Sequence, residues 1–211
     1  EMFGATVIRL GRSEVFVPVD TEAVSAETAA MLAGWVRDHS LNALVSTDGD
    51  ADRPLIVDET RALVRGDIIG ILTAQFLRAD SVVTPVTSNS SIEGMGTFRQ
   101  VVRTKVGSPY VIAGMGDGDG VVVGFEANRG VLLGSDVSIN GATLTALPTR
   151  DALLPILGVL GAARESGKTV SELVATLPPR FARSDRLEHI PAERTAILLD
   201  YLRDDAAGYF A

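Results

Sequence analysis

Apolar and polar positions along this 211-residue chain switch repeatedly between a period of two and a period near 3.6, the signatures of strands and helices. Residues 6–10 and 15–18 read as short strands around a Gly-Arg turn. A helix follows with Ser25 as its N-cap, placing Leu32, Trp35 and Val36 on one face. Residues 42–47 and 55–58 are the next strands, and Gly66-Asp67 opens an Ile- and Leu-rich, buried helix through Leu77. Residues 81–87 form a β-branched strand. Ser90 with Glu93 reads as a capping box that starts a helix. A strand over 98–105, a helix over 108–115, a Gly-Asp turn over 116–120 and a strand over 121–125 complete the middle of the chain. From Thr149 the pattern turns helical, with Leu153, Leu154, Leu157 and Leu160 as an apolar stripe, and Thr169 with Glu172 caps a second helix. Pro178-Pro179 marks a boundary, residues 183–191 a polar linker and residues 193–209 a last helix. The alternation predicts an α/β fold of mixed sheets flanked by helices: an incomplete first unit, a second unit and a C-terminal helix.

Composition narrows the function. With 5% aromatics and 46% hydrophobic residues, the core must be mostly Val, Leu, Ile and Ala. A formal charge of -8 argues against nucleic acid as a partner. The absence of cysteine removes disulfides, thiolate metal sites and cysteine nucleophiles. No apolar stretch approaches the roughly 20 residues of a membrane span. Glu1-Met2-Phe3-Gly4 has neither the basic nor the apolar part of a signal peptide, so a cytoplasmic location is expected. A chain opening on Glu1 rather than Met, and entering a strand almost at once, reads as a piece of something longer. His39, at a helix end, and His189, in the linker, show no metal or triad spacing.

The chemistry concentrates in Asp48-Gly49-Asp50-Ala51-Asp52-Arg53-Pro54, directly after a strand. Asp48, Asp50 and Asp52 alternate, so an extended or looped backbone projects them to one side. Carboxylates that close repel unless a cation lies between them, and an all-oxygen donor set favours magnesium or calcium. Arg53 adds a fixed positive charge suited to phosphate. An acidic surface turn is the plain alternative. An EF-hand fails, because Arg53 stands at the sixth position, which needs Gly, and a strand rather than a helix precedes the loop. Gly167-Lys168-Thr169 resembles the end of a P-loop but has Ala162 for the required Gly and a helix before it, so it reads as an interhelix turn. Ser90 has no base beside it in sequence, and Asp117 and Asp119 sit at a loop tip.

Three stretches occur in order and resemble motifs of the α-D-phosphohexomutase superfamily. Thr47-Asp48-Gly49-Asp50-Ala51-Asp52-Arg53-Pro54 is similar to its metal loop. Arg103-Thr104-Lys105-Val106-Gly107-Ser108 resembles its Lys-x-Gly segment. Gly124-Phe125-Glu126-Ala127-Asn128-Arg129-Gly130 resembles its sugar loop, with Arg129 where glycine is often found. The resemblance implies four-domain enzymes in which a phosphoserine exchanges phosphate with a hexose 1- or 6-phosphate. It implies magnesium on Asp48, Asp50 and Asp52, and a phosphate or phosphoserine contact from Arg53. Lys105 would stabilise charge or act as a general acid, and Glu126 and Asn128 would bind sugar hydroxyls. The implied division is 1–57 as the end of the second domain, 58–180 as the third, and 181–211 as a linker and the start of the fourth. Neither a Thr-Ala-Ser-His-Asn-Pro-like serine loop nor an Arg-x-Ser-Gly-Thr-Glu-Pro-like phosphate clamp occurs in the chain. The implied partners are therefore a mannose or glucose phosphate and the absent first and fourth domains, and the chain alone is expected to be inactive. The Phe-Glu-Ala-Asn form favours phosphomannomutase over phosphoglucosamine mutase. A non-catalytic magnesium or sugar-phosphate binding module remains the reading of another class.

Overall fold

The computed structural model describes residues 4–15, 17, 19–21, 23–139, 141–180 and 190–204. The proposed 183–191 linker lies almost wholly outside the described residues, as do His189 and the part of the last helix beyond Asp204. Among the described residues, no helix is long and apolar enough to cross a membrane.

Helix α1 (Ala26–Asp38) starts where Ser25 Oγ accepts the Thr28 amide at 3.1 Å. Its buried Leu32 and Val36 pack with Leu44, Leu55 and Val57, and Trp35 borders them. Strands β1 (Ala43–Thr47) and β2 (Pro54–Asp58) pair antiparallel from Ala43–Asp58 to Thr47–Pro54, which makes the acidic stretch the loop of a hairpin. β2 is buried along its whole length. Leu55 and Val57 face the α1 cluster, whereas Ile56 enters the main core, as alternation in a strand requires. The hairpin is thus clamped between two cores.

The second unit begins with α2 (Gly66–Phe76) and continues through β3 (Ser81–Pro85), the short α3 (Ser91–Gly94), β4 (Gln100–Thr104), α4 (Ser108–Met115), β5 (Val122–Phe125) and β6 (Val131–Leu133). A small hairpin of β7 (Val137–Ile139) and β8 (Ala142–Leu144) precedes β9 (Leu147–Asp151), and α5 (Leu153–Ser166) and α6 (Val170–Ala175) follow. The main sheet runs β4-β3-β5-β6-β9, parallel across β4, β3 and β5 and antiparallel beyond. Val83, Val111, Met115, Val122 and Leu132 close the core under α4, and the larger core lies with α2, α5 and α6. α7 (Ala192–Asp204) has no buried residue.

Four expectations need correction. Residues 6–10 form no strand, and Val7 and Ile8 are exposed, because no neighbouring strand among the described residues supplies a ladder. The helix expected from Thr149 starts at Leu153: β9 runs to Asp151, whose carboxylate then accepts the Leu153 and Leu154 amides at 2.9 and 3.1 Å. The leucine stripe of α5 is also rotated. Leu153 and Leu157 face outward, Leu154 and Leu160 border the core as expected, and Pro155, Ile156, Gly158 and Val159 are buried. Glycine decides this orientation, because a Cβ at Gly161 would sit 2.7 Å from the Phe76 ring, so only the glycine face lets α5 approach α2. The Ser90–Glu93 capping box does not form, since the Ser90 side chain makes no cap bond. Asn89 Oδ1 accepts the Ser91 amide at 2.9 Å instead, and Glu93 pairs with Arg103.

The first unit also touches α6, where Glu59 accepts hydrogen bonds from the Ser171 hydroxyl and amide. Burial opposes ionisation of Glu59, but the Ser171 and Thr169 groups outweigh it and hold its pKa below the usual glutamate range. A depressed folded pKa means that the contribution is complete above the unfolded value and disappears as pH falls through the folded one. The melting difference between the native chain and Glu59→Gln is therefore expected to be largest near neutrality. It should close as the pH falls below the ordinary glutamate range, read from thermal unfolding at several pH values.

Candidate functional site

The acidic loop is shaped around Asp48, which is buried. Its Oδ1 accepts the amides of Asp52 and Arg53, both at 3.1 Å, and its Oδ2 accepts Arg53 Nε at 2.6 Å. Ala51 takes φ +60° at the tip, the left-handed turn that brings Asp52 back beside Asp48. Asp48, Asp50 and Asp52 each present an oxygen, all within 4.8 Å of one another. At such distances each pair of charges repels by roughly 3 kcal/mol in a surface-like dielectric.

Two guanidiniums offset part of this repulsion. Arg53 Nε lies 3.3 Å from Asp52 Oδ1, and Arg150 reaches Asp52 Oδ2 at 2.7 Å. Asp52 Oδ1 is nevertheless buried and accepts no hydrogen bond. The oxygen-only donor set and this orphaned oxygen fit a hard divalent cation. Burial opposes the Asp48 charge, but the Arg53 amide and guanidinium outweigh it and lower its pKa. Asp52 is shifted upward, by burial first and by Asp48 and Asp50 beyond that, against the pull of Arg150 and Arg53.

The second loop closes β5 to β6. Glu126 N donates to Gly130 O at 2.9 Å, Arg129 N to Glu126 O at 3.1 Å and Gly130 N to Asn128 Oδ1 at 3.1 Å. Glu126 and Arg129 are both buried, and Glu126 Oε2 has no hydrogen-bond partner. Arg129 takes φ +77° and its guanidinium donates to Val64 O, so the residue departing from the glycine-rich pattern anchors the loop to the start of α2. A Cβ on Gly66 would lie 2.4 Å from Ala127 O and Arg129 N, so the loop rests directly on that glycine.

Lys105 follows β4 and is exposed, its ammonium 5.7 Å from the centre of the Tyr110 ring. β4 and β5 flank β3 in parallel, so Lys105, the Ser88-Asn89 turn and Glu126 all emerge from the carboxyl edge of the sheet. Ligands of open α/β sheets bind at that edge. Arg103 braces it. Its guanidinium donates to the carbonyls of Pro85, Ser88 and Asn89 at 2.8–3.2 Å and to Glu93 at 2.6 and 2.9 Å.

Sequence reasoning missed Arg103 and Arg150 as site-shaping residues, because their partners lie far along the chain. It also missed buried Asp67, whose Oδ2 accepts the Asn89 amide at 2.9 Å and meets Arg65 at 3.1 Å. The remaining candidates stay outside the site: His39 ends α1, Gly167-Lys168-Thr169 joins α5 to α6, and Asp119 sits in a loop fastened to Ser81.

Known proteins resemble this chain. The family profile "Phosphoglucomutase/phosphomannomutase, alpha/beta/alpha domain III" matches residues 65–181. A phosphomannomutase of Sinorhizobium fredii is 49% identical over 98% of this chain and 44% of its own length. One of Salmonella muenchen is 48% identical over 95% of this chain and 42% of its own. Among solved structures, a phosphoglucomutase/phosphomannomutase family protein of Burkholderia thailandensis superposes with a TM-score of 0.61 at 14% identity, covering 78% of this chain and 34% of that one. The N-acetylphosphoglucosamine mutase of Aspergillus fumigatus, solved with GlcNAc-6P and magnesium, gives 0.51 at 22% identity over 69% of this chain and 36% of that one. These two likenesses establish the shared fold. The chain thus spans less than half the length of the curated relatives it matches, and it belongs to the phosphoglucomutase/phosphomannomutase family.

Proposed function

We propose that this chain supplies the metal and sugar walls of a phosphomannomutase-like active site, which interconverts hexose 1- and 6-phosphates with a phosphoserine borne outside these 211 residues. The observation that carries the reading is a pair of buried carboxylate oxygens that accept no hydrogen bond, Asp52 Oδ1 and Glu126 Oε2, one in each motif loop. An orphaned buried acceptor is costly, and a ligand that satisfies it recovers that cost. Magnesium is the cation proposed for Asp48, Asp50 and Asp52; bound there, it would neutralise charge on a transferring phosphoryl group. Arg53, engaged through Nε but still 27% exposed, would meet the phosphate. Exposed Lys105 would hold or deliver a proton at the reacting oxygen. Glu126 would accept from sugar hydroxyls. Asn128 Oδ1 already holds the Gly130 amide, so Asn128 would offer chiefly its donor half to the sugar. The division into 1–57, 58–180 and 181–211 as parts of three domains belongs to the same proposal.

Nuclear magnetic resonance titration with mannose 1-phosphate and magnesium tests this. Amides of Glu126, Asn128 and Lys105 should shift in the native chain, and those of Glu126 and Asn128 should stay still in Glu126→Ala. Steady interconversion of mannose 1- and 6-phosphate by the purified chain alone would contradict the assignment of the nucleophile to an outside segment. Shifts with glucosamine 6-phosphate but with neither mannose phosphate would favour the phosphoglucosamine mutase alternative. Binding that persists in a full-length protein without any mutase activity would favour a binding module.

A further inference from the structure

The two motif loops belong to different sheets, one in the β1–β2 hairpin and one after β5, yet a single side chain touches both. Arg150, on edge strand β9, reaches Asp52 Oδ2 of the acidic loop at 2.7 Å. Its stem lies across the other loop: a Cβ on Gly130 would meet Arg150 Cδ at 2.6 Å and Cγ at 2.9 Å. A side chain at 130 would have to displace that stem, and the Gly130 amide is itself held by Asn128 Oδ1. The Asp52–Arg150 pair is partly exposed, at 21% and 32% for the two side chains, so by itself it adds little to stability. Its consequence is geometric. With Oδ2 fastened to Arg150, Asp52 turns Oδ1 toward Asp48 and Asp50, and Oδ1, which meets Arg53 Nε at 3.3 Å, accepts no hydrogen bond.

We propose that Arg150 is a positioning residue that fixes the orientation of Asp52 as a metal ligand and ties that orientation to the seating of the Glu126–Gly130 loop. The proposal rests on the reading of Asp48, Asp50 and Asp52 as a magnesium site. Removing the guanidinium has two opposed effects: it takes a repelling charge from beside the cation, and it frees Asp52 to rotate. Gly130→Ala separates them. The added methyl displaces the Arg150 stem without changing any charge, and Gly130 is not itself a metal ligand.

The test is a cycle in the 211-residue chain, with magnesium alone as the titrant in calorimetry and folding checked by circular dichroism. Loss of an orienting partner of a metal ligand typically costs about tenfold or more in affinity, so Gly130→Ala should weaken magnesium binding by about that factor. In an Arg150→Met background the same Gly130→Ala change should leave the dissociation constant unaltered, because the link is already cut. Equal effects in the two backgrounds, or unchanged or tighter binding in the Arg150 protein, overturn the proposal. Should Gly130→Ala fail to fold, the Gly130 amide resonance serves instead. Magnesium should shift it in the native chain and in Arg150→Lys but not in Arg150→Met, and a shift surviving in Arg150→Met overturns the proposal equally. If the native chain binds no magnesium at all, the metal-site reading itself fails, an outcome distinct from a cycle without coupling.

Discussion

Asp48→Ala and Asp50→Ala are both expected to abolish magnesium binding, yet only the first should damage the fold. Asp48 is buried and accepts three hydrogen bonds, two from backbone amides and one from the Arg53 guanidinium. Truncating it leaves those donors unsatisfied and strips Arg53 of its nearest counter-charge. Hydrogen bonds to a charged acceptor are worth more than neutral ones, so the loss should be about 2–3 kcal/mol, reduced from the fully buried case because Arg53 is partly solvated. Asp50 is exposed, and its removal relieves repulsion from two neighbouring carboxylates. Its truncation should change stability by no more than about 0.5 kcal/mol in either direction. Denaturant unfolding of both variants, beside magnesium titrations, reads the contrast. Equal destabilisation by the two would mean that Asp48 does not organise the loop.

Gly66→Ala should do comparable damage at the other loop. A methyl there would stand 2.4 Å from both Ala127 O and Arg129 N, backbone atoms that cannot swing aside. Either α2 retreats from the sheet or the Glu126–Gly130 turn lifts off α2, and the buried Arg129 guanidinium then loses Val64 O. Overpacking of this kind costs about 1–3 kcal/mol, more than the fraction gained from replacing glycine at a helix start. Mannose 1-phosphate binding should fall along with stability, because Glu126 moves with the turn. Gly94→Ala is the control. It is helical with nothing within 4 Å of an added Cβ, so it should be neutral or stabilise by up to about 1 kcal/mol. A Gly66→Ala chain as stable as the native one would show that the loop does not rest on this glycine.

How far the sequence was legible depended on how local the deciding forces were. The acidic loop was readable because its carboxylates alternate immediately after a strand, and the hairpin brings them together within a few residues. The Thr169–Glu172 capping box and the Ser25 cap formed as read, because both are closed by groups three residues apart. Strands β6 to β8 are three residues each, too short to impose a period on the pattern, and they exist through pairing with neighbours. Leu154 and Leu160 of α5 border the core as read, but Leu153 and Leu157 were misassigned because the helix turns its glycines toward α2, where Phe76 and Thr73 leave no room for a side chain. Ser90 lost its cap to Asn89, and Glu93 was drawn away by Arg103 from the neighbouring strand. Arg150 shows the same limit at the site, for nothing near it in sequence announces Asp52 or Gly130 as its partners.

The acidic hairpin loop is proposed to hold a hard cation beside the sugar loop. Crystals of the chain grown with mannose 1-phosphate and with manganese in place of magnesium test it most directly, since both ions take six oxygen donors and manganese scatters anomalously. One anomalous peak is predicted within about 2.0–2.3 Å of oxygens of Asp48, Asp50 and Asp52, with a sugar hydroxyl against Glu126 Oε2. A loop without a peak at millimolar manganese, or a peak bound to other carboxylates, would contradict it.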